Sequence, residues 1–220
     1  MPDDFPSAAF ERIWAKINPL STTRNSLYLE FNSAWNALAH RYLAMVDHGE
    51  GFTASVIADG TSPKPERRHY QEQCLFDFFS SGFSAFDAFF YATFAVGALI
   101  DAVAFPMTTE KDQRKISCKH TVESYGRKFP QSVVLAALKA LADSPEYGQW
   151  HDIRNILTHR AAPGRTFHVS FGSDDETPVD RWKVFGIPLD ENTIPTRRAH
   201  ASRLLTAALA AVADFVDQKL

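Results

Sequence analysis

The strongest constraint on the fold is a long apolar segment in the middle of the 220-residue chain. Residues 76–90, FDFFSSGFSAFDAFF, are apolar on nearly every face of a helix, which is typical of a helix at the centre of a domain or in a membrane. The uncharged run AFFYATFAVGALI, between Asp87 and Asp101, has 13 residues. A membrane-spanning helix needs about 20. We therefore predict a buried core helix over residues 66–99.

Helix patterns before this segment predict a bundle around it. Apolar side chains at steps of three and four, from Leu27 to Tyr42, predict a helix over residues 22–47 that the glycines of HGEGF end. The following stretch, 50–65, contains glycine and proline and predicts a loop. The small residues of SSGFSA within the central helix would let a neighbouring helix approach closely.

Further helices and a change of period follow the central helix. The polar and basic stretch 106–129 predicts a loop and a short helix, and VVLAALKALAD predicts another helix. Ser-Pro-Glu at 144–146 is a helix start signal, with AAPG as the matching end signal. Thr196 is predicted to cap a last helix that runs through Phe215.

The predicted fold class is all-α, a helical bundle of about five main helices with an appended β-hairpin. Apolar residues alternate in TFHVSF and DRWKVFGI, and the turn-forming GSDDETPV joins them. This pattern predicts the hairpin at about residues 166–187. Residues 1–21, which contain three prolines, are predicted to form an N-terminal arm, and residues 22–220 a single domain that includes the hairpin.

Charge and cysteine content exclude several classes of protein. The net charge of −3 and the pI near 6.2 exclude a generally basic nucleic-acid coat but allow a local basic patch. Cys74 and Cys118 are far apart, so a cysteine-based zinc site is not expected, and the histidines show no metal-ligand spacing. We expect no metal, no cofactor and no membrane segment. The acidic N-terminus lacks an export signal, which predicts a cytoplasmic protein.

The candidate site is the segment RNILTHR, inside SPEYGQWHDIRNILTHRAAPG. On a helical wheel one side is apolar, and the opposite side carries His151, Asn155 and His159, with Arg154 at the border. Arginine can bind a phosphate through two hydrogen bonds, and histidine can exchange a proton near neutral pH. Asparagine can orient either residue. This set suits phosphodiester chemistry without a metal, with the ribose 2′-OH of RNA as nucleophile.

The segment RNILTH resembles the arginine–polar–x3–histidine signature of the HEPN superfamily (higher eukaryotes and prokaryotes nucleotide-binding). The layout over residues 22–162 is also similar, with a long apolar helix before a shorter motif helix. The resemblance implies a metal-independent endoribonuclease, often a toxin or defence effector, with an active site formed where the motif helices of a homodimer meet. It implies that Arg154 binds phosphate, Asn155 orients and His159 is the acid/base. An antitoxin or a nucleotidyltransferase is an implied partner. The hairpin departs from the family's minimal pattern, which leaves substrate access and pairing of the helices open.

Other interpretations of the motif remain open at this point. RNILTHR is also compatible with a solvated helix edge whose C-terminal cations favour the helix dipole. A HEPN-like module that binds a nucleotide or partner without catalysis is the main alternative function, and a helical scaffold without a site is a third.

The supporting residues are open to two interpretations as well. His151 is either a second polar contact or simply exposed. Asp87 either forms a salt bridge with Arg154 and directs it, or has a structural role, since a carboxylate in an apolar helix needs a partner. The basic stretch 111–128 either follows an RNA backbone or is a solvated loop.

Overall fold

The computed structural model describes residues 1–60, 63–159, 165–166, 181–184 and 186–220, with only the backbone described at 165–166 and 181–182. These residues form eight α-helices: α1 (Ser7–Ile17), α2 (Asn25–Asp59), α3 (Pro65–Ile100), α4 (Glu110–Gln113), α5 (Cys118–Lys128), α6 (Val133–Ala142), α7 (Pro145–His159) and α8 (Thr193–Lys219). A 3-10 helix, Asn18–Ser21, joins α1 to α2. Three short strands follow α7: β1 (Arg165–Thr166), β2 (Arg181–Val184) and β3 (Ile187–Pro188). The predicted class, all-α with an appended hairpin, is confirmed.

The two longest helices, α2 and α3, form an antiparallel pair. The Arg67 Nε donates to Asp59 Oδ2 at 2.8 Å where the two helices meet the short connection. At the opposite end, Tyr91 Oη donates to Glu30 Oε2 at 2.7 Å. The end of α2 thus contacts the start of α3, and the start of α2 contacts the later part of α3. The two helices are therefore antiparallel, and the other helices pack around them.

The helix α3 is the buried core helix that the apolar segment predicts. Its fully buried aromatic side chains are Phe78, Phe79, Phe86, Phe89, Phe90 and Phe94. By length and composition α3 and α8 could each cross a membrane, yet 78% of the most apolar window of α3 and 50% of that of α8 are buried within the protein. Burial against other helices therefore accounts for the composition of α3.

The motif helix α7 approaches α3 closely at Gly82. A Cβ atom at this position would lie 2.4 Å from Cζ3 of Trp150, which is fully buried. The Trp150 ring also lies 5.1 Å from the Phe78 ring and 5.0 Å from the Phe79 ring, between centroids. The predicted close approach at the small residues of α3 is thus found, and it sets the position of α7.

The predicted end of α2 is wrong. The helix continues beyond HGEGF to Asp59, so most of the predicted loop at 50–65 is helical. Gly49 and Gly51 provide space for packing: a Cβ at Gly49 would lie 2.5 Å from Ile194 Cγ2, and one at Gly51 would lie 2.9 Å from Tyr70 Oη. The helix ends at Gly60, whose φ of +68° favours glycine.

The N-terminal residues pack on the last helix. In α1, Ile13 and Ile17 are fully buried, and α1 contacts α8. The helix α8 begins at Thr193, so the predicted cap at Thr196 is wrong. The backbone N–H of Thr196 donates to Asn192 O at 3.1 Å, which is already a bond of the first helical turn.

The described strands confirm part of the predicted hairpin. The strand β2 pairs antiparallel with β1, with Arg165 opposite Trp182, and also with β3, with Val184 opposite Ile187. The predicted hairpin over 166–187 otherwise falls largely on residues outside the described ones, as does the predicted AAPG end of the motif helix. Val184 is buried, so β2 contacts the helical body.

Candidate functional site

The start signal predicted for α7 is confirmed. Ser144 Oγ accepts a hydrogen bond from the Tyr147 N–H at 3.0 Å, and Pro145 is the first helical residue. A bond from its own backbone N–H lowers the pKa of Glu146, as expected for an acid near the positive end of a helix. Glu146 also accepts from Arg203 of α8 at 2.7 Å. The helix is thus fixed at its first turn.

The two faces of α7 divide as the helical wheel predicts. Trp150 and Ile153 are fully buried, and Ile156 and Leu157 are partly buried against the core. The opposite edge is open to solvent; it consists of His151, Asp152, Thr158 and His159, with Arg154 and Asn155 partly buried at its border.

Arg154 lies over an aromatic ring. Its guanidinium carbon is 4.3 Å from the centroid of the Phe83 ring, which belongs to α3. The Tyr147 ring stacks on the same phenylalanine at 5.6 Å. The Arg154 Nε is buried, and among the described residues it has no hydrogen-bond partner. The ring therefore fixes the guanidinium by a cation–π contact, and no carboxylate of the described residues forms an ion pair with it.

Next to Arg154, the side chains of His151 and Asn155 contact each other. The Asn155 Nδ2 lies 3.0 Å from His151 Nε2, and His151 Nδ1 lies 3.2 Å from Asp152 Oδ1. In one consistent assignment the amide donates to Nε2 and Nδ1–H donates to the carboxylate. The His151 ring is 5.5 Å from the Phe83 ring. Asn155 therefore orients His151, whose ring lies near the same Phe83 ring as Arg154.

Asp87 brings α3 into this cluster. Its side chain is exposed to solvent, although neighbouring protein atoms partly bury the carboxylate. This burial raises the pKa of Asp87, against the opposing effect of the positive charges of Arg154 and Arg41 and of His151. Within the described chain Asp87 forms no hydrogen bond or ion pair. The salt bridge considered between Asp87 and Arg154 is therefore not formed, although the two charges interact through space.

Asp87 also lines a groove of about 540 Å³ between α2, α3 and the residues before α5. One end of this groove is closed by Glu30, which accepts from Tyr91 Oη at 2.7 Å and from Gln113 Nε2 at 3.0 Å. At the other end is Arg41, whose Nη1 donates to Ser84 O at 3.1 Å. The groove thus begins at the edge of the Arg154 cluster and runs along α2.

His159 lies apart from this cluster. It is exposed at the last described residue of α7, two turns beyond His151, which is about 12 Å along the axis. Within the described part of the chain His159 makes no hydrogen bond with Arg154 or Asn155. Within one protomer the histidine beside Arg154 is therefore His151, which the motif pattern ranks as a supporting residue.

Sequence reasoning missed Phe83 and Arg41. The aromatic run of α3 predicts core, and Phe83 is indeed buried, but one face of its ring carries Arg154. Arg41 belongs to a second arginine–histidine pair of similar spacing, with His48, which gives no hint of its position beside Asp87. Contacts between helices, which spacing along one helix does not encode, bring both residues to the site.

Several cations of the basic stretch 111–128 pair with acids close to them in sequence. Arg114 Nη2 lies 3.0 Å from Glu110 Oε2, and Lys119 Nζ lies 3.9 Å from Glu123 Oε1. These are exposed pairs within helices, which contribute little to stability. They leave little uncompensated positive charge at these positions.

Among the described residues, no three His, Cys, Asp or Glu side chains are grouped so that they could hold a metal ion. Comparison of the chain with known protein families, curated proteins and solved structures gives no match. The function is therefore inferred from the geometry of the α7 cluster and its groove.

Proposed function

We propose that this protein is a metal-independent endoribonuclease of the HEPN type, acting in the cytoplasm as a homodimer through α7. The observation that carries the proposal is the Arg154 guanidinium, fixed on Phe83 without a carboxylate partner among the described residues, beside a histidine oriented by Asn155. A fixed and unpaired guanidinium is suited to bind a phosphate and to stabilise the charge that develops on it.

In the proposed reaction the ribose 2′-OH attacks the adjacent phosphorus. The O2′–P bond forms and the P–O5′ bond breaks, which leaves a 2′,3′-cyclic phosphate and a 5′-OH end. One basic group takes the 2′-OH proton, and one acidic group gives a proton to the leaving O5′. Arg154 binds the non-bridging oxygens, and His159 is the proposed acid/base.

The position of His159 supports the proposed homodimer. The reaction needs two proton-transfer groups near one phosphate, whereas His159 lies one turn beyond Asn155 and two turns beyond His151, and makes no hydrogen bond with Arg154 or Asn155 among the described residues. Two copies of α7 that meet along their exposed edges would bring the His159 of each copy towards the Arg154 of the other. A toxin or defence role, with an antitoxin or a nucleotidyltransferase as partner, belongs to the same proposal.

The test is RNA cleavage in EDTA by wild type, His159→Ala and His151→Ala, with analysis of the product ends. We expect His159→Ala to lower the rate about 10²- to 10⁴-fold, with cyclic-phosphate ends in the wild-type products. The matched control is His69→Ala, an exposed histidine of α3, which should cleave like wild type. Loss of activity in His151→Ala with full activity in His159→Ala would transfer the acid/base role to His151.

A non-catalytic binding module is the second candidate. It is favoured by the distance of His159 from the groove, because Arg154, His151 and the groove form a polar site without it. Absence of cleavage by a folded, dimeric wild type on varied RNAs, together with nucleotide binding that Arg154→Ala removes, would favour this module over the nuclease.

A further inference from the structure

The groove beside the Arg154 cluster contains two carboxylates that differ in their partners. Glu30 accepts hydrogen bonds from Tyr91 and Gln113, so its acceptor capacity is largely used. Asp87 accepts none from the described residues, although positive groups lie near it. Asp87 is exposed, so water hydrates its carboxylate, and a ligand that donates two hydrogen bonds there would replace that water.

Asp87 differs from the two aspartates nearest to it along the chain on either side. Along α3, Asp77 lies 4.0 Å from His48, and Asp101, which follows the helix, pairs with Lys128 and accepts from two backbone N–H groups. These acids have structural partners. Asp87 feels the charges of Arg41 and Arg154 but bonds to neither, so no described residue occupies its two oxygens.

The groove has the size and surface of a small-molecule site. Its volume of about 540 Å³ lies within the range of roughly 300–1,000 Å³ that such sites occupy. Small side chains form part of its lining, namely Ser33, Ala34, Ala37 and Ala88, and Tyr91 and Ile116 add larger surface. A planar ring is therefore a suitable occupant.

We infer that this groove binds a guanine base, with Asp87 accepting hydrogen bonds from N1–H and N2–H of its Watson–Crick edge. Guanine presents two adjacent donors there, which match the two acceptor oxygens of a carboxylate. Adenine and cytosine each present one donor beside an acceptor, and uracil presents one donor between two carbonyls, so each places an acceptor against the carboxylate. The cationic Arg154 lies nearby to take the phosphate of the same nucleotide.

This inference rests on the proposed function in one respect. If the protein is a nuclease, the groove is the subsite for the nucleotide next to the scissile phosphate, and the enzyme prefers guanine at that position. Base recognition itself needs no cleavage. The two proposals can therefore be tested on different ligands.

The experiment measures binding of mononucleotides, which contain no phosphodiester bond, by calorimetry on the full-length protein. The ligands are GMP, IMP, AMP, CMP and UMP. IMP differs from GMP only by the missing N2 amino group. We expect GMP to bind about tenfold or more tightly than IMP, and more tightly still than AMP, since each lost bond to a charged acceptor costs about one power of ten.

The variant Asp87→Asn keeps the shape of the side chain but replaces one acceptor with a donor. We expect it to remove the preference for GMP over IMP and AMP, whereas the control Asp77→Asn, on the same helix, should keep it. Equal binding of GMP and AMP by wild type, or an unchanged preference in Asp87→Asn, would overturn the guanine subsite.

Cleavage assays separate this outcome from the nuclease proposal. Binding of GMP that depends on Asp87, without any RNA cleavage, would support the subsite and remove the nuclease. Cleavage that depends on His159, without a preference for guanine in binding, would support the nuclease and overturn the guanine subsite.

Discussion

The charges that join the N-terminal residues to α8 and the charges beside α7 differ in how they are paired. Arg198 donates to both oxygens of Asp4, at 2.6 and 2.8 Å, and Arg12 bonds to Asp214 and Asp217. Beside α7, by contrast, Arg154 and Asp87 interact through space but form no ion pair. Each charge in the first region has its partner within the protein, whereas the charges in the second remain available to a ligand.

This difference teaches how a structural arginine can be told from a functional one in the same molecule. Arg198 uses its planar fork on a carboxylate of the chain. Arg154 presents the same fork but is oriented by an aromatic ring, which holds it without occupying its hydrogen bonds. Matched substitutions in the two regions test this distinction.

The largest expected effect is on cleavage by Arg154 variants. We expect Arg154→Ala to lower the RNA cleavage rate about 10²- to 10³-fold, and Arg154→Lys to recover only part of it, because lysine lacks the bidentate fork. Initial rates on one RNA in EDTA measure the effect. The matched variant Arg198→Lys should cleave at the wild-type rate. A comparable loss of rate in Arg198→Lys would contradict the distinction between a functional Arg154 and a structural Arg198.

The next effect is on stability, at the contact that positions α7. Gly82→Ala places a Cβ 2.4 Å from Trp150 and should lower the free energy of unfolding by about 1–3 kcal/mol. Gly148→Ala, in α7 itself, meets nothing within 4 Å and should raise it by about 0.4–1 kcal/mol. Urea denaturation measures both changes. A loss of stability in Gly148→Ala would contradict the described position of α7.

A smaller effect separates the two arginines. We expect Arg198→Met to lower the free energy of unfolding by about 1 kcal/mol, as for a partly exposed pair, because it leaves Asp4 without its partner. Arg154→Met should cost less, since methionine keeps a contact with the Phe83 ring and no pair is broken. The same denaturation assay tests this order, which would be contradicted if Arg154→Met were the more destabilising change.

The smallest effect is the dependence of stability on pH, which should have opposite signs in the two regions. Burial acts to raise the pKa of Asp4, but the hydrogen bonds and charge of Arg198 lower it below the ordinary 3.8. Its stabilising contribution is therefore present above pH 3.8 and is lost as the pH falls through the lower folded value. Burial raises the pKa of Asp87, so protonated Asp87 favours the folded state and that contribution is lost as the pH rises through the raised value.

Two isosteric variants measure these signs through the melting temperature at pH 7 and pH 3. We expect Asp4→Asn to lower the melting temperature at pH 7 and to lower it less at pH 3. Asp87→Asn should raise it at pH 7, with little effect at pH 3. A destabilised Asp87→Asn at pH 7 would indicate that Asp87 has a structural partner after all.

The HEPN resemblance stays a proposal, and its motif gives an uneven prediction of the site. It selects the polar, solvent-facing edge of α7, because a period of 3.6 residues determines which side chains of one helix share a face. It ranks His159 above His151, and only the second contacts Asn155 in the protomer. Among the described residues, the groove, the Phe83 ring and Arg41 have no signal in the motif, since all three belong to other helices.

The sequence by itself determined the central helix α3, the start of α7 at Ser144 and the polar edge of α7, because apolar periodicity and caps act within a few residues along the chain. The tertiary structure alone decided that α2 passes through Gly49 and that Asp87 meets no cation directly. These features depend on the close approach of α3 to α7 and on the pairing of α2 with α3. Such contacts join residues far apart in sequence, where local patterns carry no information about distance.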